Sequence, residues 1–234
     1  MEFPKLICGF NPASPVLALR AQRSQVLHSS HTIELLRLPQ PKTLRLSVAS
    51  NAIVLAAEHH GAIALLISQA HYSTAHALMR PLVETTMRAL WLTYLASFTA
   101  VDELTTRPSG PDLDRICRYF VKAKLQGLTP IAEAVLKQGN MFHSFAHAGI
   151  EQLVRRLRGY REEEVLAALL IADVFASVAI ANAAIIFDDT KLHQLTEMNG
   201  HPLAMESHYY FRGPLPEPGW TGTLPAMPNW NDPK

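Results

Sequence analysis

Residues 71–95, HYSTAHALMRPLVETTMRALWLTYL, decide how the rest of the chain is read. His76, Arg80, Glu84 and Arg88 recur there every fourth residue. A helix turns about 100° per residue, so each step of four drifts only about 40° and the four side chains share one stripe. Around that stripe stand Leu78, Met79, Leu82, Val83, Met87, Leu90, Trp91, Leu92 and Leu95, enough apolar surface to bury most of the helix. Unpaired buried charge costs several kcal/mol, so such a stripe must find partners or lose its charge. The stretch therefore predicts a polar seam inside a helical core.

The same pattern returns in FHSFAHAGIEQLVRRLRG, where His143, His147, Glu151 and Arg155 are again spaced by four on a helix expected over 141–157. Between these segments the chain reads as helices throughout. Ser14-Pro15 starts one that runs to about Leu36, with Val16, Leu19, Val26, Ile33 and Leu36 as its apolar positions and Arg20, Arg23 and Glu34 expected in solvent. A second spans about Thr43 to Ser68, interrupted by Glu58-His59-His60-Gly61; a glycine there suggests the close approach of another backbone. Ser73 is placed to cap the helix of 71–95, and Pro81 inside it either kinks that helix or begins a separate one. Asp112 to Gln126 carries acid at its start and base at its end, with Gly127 as its stop. Thr129-Pro130 opens a short helix closing at Gly139.

Residues 165–187, VLAALLIADVFASVAIANAAIIF, form the most apolar run. It approaches the ~20 residues that a membrane span needs. Asp173 and Asn182 interrupt it and alanine outnumbers leucine, which favours the central helix of a bundle over a span. From Met198 onward, prolines crowd together with Tyr209, Tyr210, Phe211, Trp220 and Trp230. The expected architecture is all-α: an antiparallel bundle of about six or seven helices over 1–197. An irregular Pro/aromatic tail over 198–234 then packs on the bundle or on a partner subunit.

Of 234 residues, 48% are hydrophobic and 18% charged, which supports a sizeable core and excludes wholesale disorder. The formal net charge of +1 leaves no broad basic footprint for nucleic acid. Arg155, Arg156, Arg158 and Arg161 supply a local basic patch, equally readable as a solvated helix end. Cys8 and Cys117 form no CxxC pattern, and the start, MEFPKLICGF, is not a signal peptide; a reduced, cytoplasmic protein is expected.

Two stripes on separate helices are best buried by facing each other. The candidate site is therefore Arg80, Glu84 and Arg88 opposite His143 and His147, joined by Glu58 and His60 (or His59) and by Asp173. A buried Asp needs a donor, and Arg80 and Arg88 are the expected ones. His28, His31, His193, His201 and His208 are expected to be ordinary core or surface histidines. A metal on His143 and His147 with Glu84 or Glu58 is disfavoured, because the arginines repel a cation and no HExxH is present. No metal and no cofactor are expected. Phosphate chemistry suits the set better: guanidinium groups hold phosphate oxygens bidentately, and a histidine near pKa about 6.5 moves a proton at neutral pH.

RPLVETTMRALWL, followed far downstream by HSFAHAG, resembles an uncharacterised bacterial family of all-helical proteins. That family is in turn distantly similar to HEPN (higher eukaryote and prokaryote nucleotide-binding) domains. The resemblance covers roughly 45–190 and implies an RNA or nucleotide ligand, a homodimer, and a toxin–antitoxin or phage-defence setting. Many HEPN domains are metal-independent RNases with an Arg-Asn-x-x-x-His motif. His147 stands at the motif His, with Phe142 at its Arg and His143 at its Asn. Of these positions the resemblance places only His147; catalysis by His143, His147, Arg80 and Glu84, with Arg88, His60, Glu58 and Asp173 binding substrate, is what the polar seam predicts, Arg80 or Arg88 standing in for the absent motif Arg. The competing expectation is a non-catalytic interaction protein, whose polar seam serves packing, dimerisation or a protein partner.

Overall fold

The structure, a computed structural model, describes residues 14–106, 110–146 and 150–211. Among the described residues there are helices and no strands. The helices are α1 (Pro15–Leu36), α2 (Leu44–Ser68), α3 (Tyr72–Tyr94), α4 (Phe98–Thr106), α5 (Leu113–Ala123), α6 (Thr129–Ala146), α7 (Ile150–Arg158), α8 (Glu162–Phe187) and α9 (Thr190–Phe211). The all-α reading holds, with more elements than expected.

Local chemistry accounts for the helix ends. The hydroxyls of Ser14 and Thr43 accept from the amides of Leu17 and Leu46, and the Asp112 carboxylate accepts from Arg115, each satisfying an amide that the helix cannot. Ser73 does not cap α3; it accepts from the Tyr160 hydroxyl instead. Pro81 neither starts nor ends a helix, since α3 runs through it. α5 stops at Lys124 in a left-handed conformation, before Gly127 is reached. α6 continues through Gly139, and α9 continues past Pro202 to Phe211, where an irregular chain from Met198 was expected.

α8 is the axis. It packs on α1, α2, α3 and α9, and Leu169, Leu170, Val178 and Ile180 along it are fully buried. α3 packs on α2, α5, α6 and α8, completing the core. By length and composition α2 and α8 could each cross a membrane; 83% of the apolar window of α8 lies inside the bundle, against 39% for α2. α1 lies antiparallel to both α2 and α9: Gln25 donates to Ser68, while Arg20 and Arg37 reach Glu206 and Asp189.

Candidate functional site

α1 is inside out. The apolar positions Val16, Leu19, Val26, Ile33 and Leu36 face solvent, while Arg20, Ser24 and His31 are buried with Leu17 and Ala21. Arg20 is only 6% exposed, contrary to its expected place in water. The reason is what α8 and α2 present to that face. Asp173 sits in the middle of the apolar axis helix and cannot reach water, so neighbouring helices must supply its donors.

Three of them do. Arg20 Nη1 lies 2.7 Å from Asp173 Oδ2, and the Ser24 hydroxyl donates to the same oxygen at 3.0 Å. His60 Nε2 donates to Oδ1 at 2.7 Å. Arg20 Nη1 also donates to Ser24, and its Nε donates to Glu206 Oε1 at 2.5 Å. One network therefore ties α1, α2, α8 and α9 together. Burial alone would raise the Asp173 pKa, but the hydrogen bond and charge of His60, together with Arg20, hold it below the ordinary carboxylate value. Burial works against the Arg20 charge as well; Asp173 and Glu206 outweigh it and raise that pKa.

Behind Asp173 lies a histidine cluster. The His28 and His31 rings stand 5.8 and 6.2 Å from the His60 ring, centroid to centroid. Neither ring nitrogen of buried His31 has a hydrogen-bond partner, nor do Nδ1 of His28 and of His60. Burial, with His60 as the next contributor, pushes His31 down to about 3, so it is neutral at ordinary pH. Among the described residues no group of three His, Cys, Asp or Glu side chains is placed to hold a metal ion.

In front of Asp173 an open cleft of about 460 Å³ runs between α1 and α9. Arg20 and Asp173 line it, with Gln22, Arg23 and Ser30 from α1 and Asn199 from α9. Two buried donors on this lining, Arg20 Nη2 and Asn199 Nδ2, have no hydrogen-bond partner. The donor the cleft presents is the exposed guanidinium of Arg23; an oxygen acceptor bound there reaches the two shielded N–H groups through a side-chain shift.

The residues singled out from sequence are divided by the fold. His60 and Asp173 do come together, but Asp173 takes its arginine from α1; neither Arg80 nor Arg88 is its partner. Arg80 and Glu84 pair with each other at 2.9 Å, half-buried along α3. The Arg88 guanidinium lies against Gly110, beyond α4. Glu58 faces solvent on α2. His76 is buried, its ring 5.0 Å from that of Tyr160 and its Nδ1 donating to the Tyr72 carbonyl. α6, which carries His143, does pack against α3 as the facing stripes required. The His143 side chain and the whole of His147 lie outside the described residues. In the basic patch Arg156, Arg158 and Arg161 are exposed, and Arg161 is paired with Glu164.

Sequence reasoning missed Arg20, Ser24, His31, Asn199 and Glu206. The signal was present: Arg20, Ser24 and His28 follow one another at steps of four, the rule that singled out α3.

The model of a family of unknown function, DUF6988, matches residues 53–201, and the chain belongs to that family. His60, Asp173 and Asn199 fall within the match; Arg20 and Glu206 lie outside it. No curated protein and no solved structure matches the chain.

Proposed function

We propose that this member of DUF6988 binds a phosphate-bearing ligand, a nucleotide or the end of an RNA, in the α1–α9 cleft. The observation that carries the reading is the pair of unpartnered buried donors, Arg20 Nη2 and Asn199 Nδ2, on one lining beside the exposed Arg23. The volume falls in the range of small-ligand sites, about 300–1,000 Å³. Because Asp173 and Glu206 already balance Arg20, the added charge for an anion comes from Arg23, and hydrogen bonding from Arg20 and Asn199 fixes its orientation. The expected distant similarity of the family to HEPN domains favours RNA over another anion as the ligand. Cleavage by His143 and His147, with Arg80 and Glu84, in a homodimeric defence or toxin–antitoxin protein, extends the same proposal.

Calorimetric titration with a nucleoside monophosphate and with inorganic phosphate tests it. Binding is expected, and Arg23→Ala should weaken it about 10-fold or more while leaving thermal unfolding unchanged, since an exposed side chain contributes little to stability. No binding, or equal binding by Arg23→Ala, overturns the reading. It would favour the second one, a structural network, which rests on how completely Asp173 is occupied by Arg20, Ser24 and His60.

A further inference from the structure

A second cavity, of about 200 Å³, opens where the chain turns from α1 into α2. Its polar lining is Gln40 from the turn and Ser47, Ser50 and Asn51 from α2; Pro39, Pro41 and Phe187 are among its apolar walls. None of the described residues that line it is charged. Helical hydroxyls elsewhere in the chain bond back to the preceding turn, Ser29 to the Gln25 carbonyl, Ser30 to Val26 and Thr85 to Pro81. Ser50 does not: its Oγ is shielded from water and has no hydrogen-bond partner. The Gln40, Ser47 and Asn51 side chains are likewise engaged with no described residue. Two amides and two hydroxyls around one cavity therefore stand uncommitted.

We propose that this cavity binds the uncharged ring of a purine base. Its volume lies below the ~300–1,000 Å³ of sites for drug-sized ligands, which suits one ring system and not a whole nucleotide. A carboxamide carries a donor and an acceptor side by side, the pattern that adenine answers with its N7 and its amino group in one plane. Asn51 and Gln40 each offer that pair. The hydroxyls donate or accept as a remaining ring nitrogen requires, and Ser50 turns into the cavity by rotation about its Cα–Cβ bond. The proline rings and Phe187 supply apolar faces against which a base packs its π-surface. A charged ligand would find no opposite charge here. A sugar would set hydroxyls against those same apolar walls and leave them unpaired.

The inference stands apart from the α1–α9 cleft. No residue lines both: the cleft uses α1 between Leu19 and Ser30, and the cavity uses the chain from Leu35 onward with Ala183 and Phe187 of α8. Adenosine carries no phosphate for Arg23 to hold, so the two sites are read by different probes.

Calorimetry and saturation-transfer NMR of the full chain with adenosine, and with ribose as the control, test it. Adenosine should bind saturably and ribose should not. Asn51→Ala should weaken adenosine about 5-fold or more, the loss of one hydrogen bond. Asn51 is exposed on α2, so the same variant should leave the thermal melt unchanged. Arg23→Ala should bind adenosine as the unaltered chain does. Any of four results would overturn the inference: no saturable binding of adenosine, equal binding by Asn51→Ala, ribose bound as well as adenosine, or binding lost in Arg23→Ala, which would move the base into the cleft.

Discussion

His31 is the residue whose environment makes the sharpest prediction. It stays neutral in the folded chain down to about 3, whereas an unfolded histidine takes a proton below about 6.5. Unfolding therefore takes up a proton between those values, and stability falls as pH falls from about 6.5 towards about 3. The slope from this group is at most about 1.4 kcal/mol per pH unit. Burial lowers His28, His59 and His76 in the same direction. Urea unfolding from pH 7 down to pH 4.5 should show the slope, and His31→Phe should flatten it without abolishing it. An unchanged slope in that variant would mean that His31 is solvated. Asp173 has the opposite chemistry and adds only at lower pH. Its depressed carboxyl contributes stability above the ordinary carboxylate range, lost as pH falls through the folded value. That Asp173 is buried and must be paired was legible from its place in an apolar run. Which arginine pairs with it was not, because any pairing between distant segments depends on how helices are arranged, which no local pattern encodes.

At the scale of elements, the α1–α2 contact is set by Gly61. A Cβ built there would come within 2.5, 2.6 and 2.9 Å of three atoms of the His28 ring. The close approach that a glycine in this helix implied is real, but the approaching group is an imidazole and not a backbone. Gly61→Ala gains about 1 kcal/mol of helix propensity but forces the ring aside, at about 1–3 kcal/mol. A net loss is expected by chemical denaturation, turning into a gain when His28→Ala vacates the space. Of the two caps expected, Ser14 accepts from the amide three residues on, while Ser73 does not cap α3; Thr43 and Asp112, read only as helix starts, cap as well. α9 was the least legible: Pro202 argues against helix locally, yet contact with α8 and the Arg20–Glu206 pair hold the helix through it. α1 misled in a different way. Its apolar positions were expected to face the core and Arg20 to face water, an expectation that fails where the core offers a carboxylate and a histidine to be satisfied.

For the whole molecule, Arg80 and Glu84 of the α3 stripe pair with each other and Asp173 takes its donors elsewhere; the α6 stripe at His143 and His147 lies outside the described side chains. The bundle is organised instead around a charge network in which α8 supplies the acid, α1 the base, α2 the histidine and α9 the second acid. The 165–187 run gave away the axis helix because only a central position can bury every side of it. The network is the floor of the proposed ligand cleft, so that proposal depends on it. A double-mutant cycle on Arg20→Met and Asp173→Asn, read by urea denaturation, tests it most directly. Each single change should cost about 3 kcal/mol, the lower end for breaking a buried ion pair, because Ser24 and His60 remain on Asp173 and Glu206 remains on Arg20. The double change should cost clearly less than their sum, by a coupling of about 0.5–3 kcal/mol. Additive losses, or single losses within about 0.5 kcal/mol as at an ordinary surface position, would contradict the account.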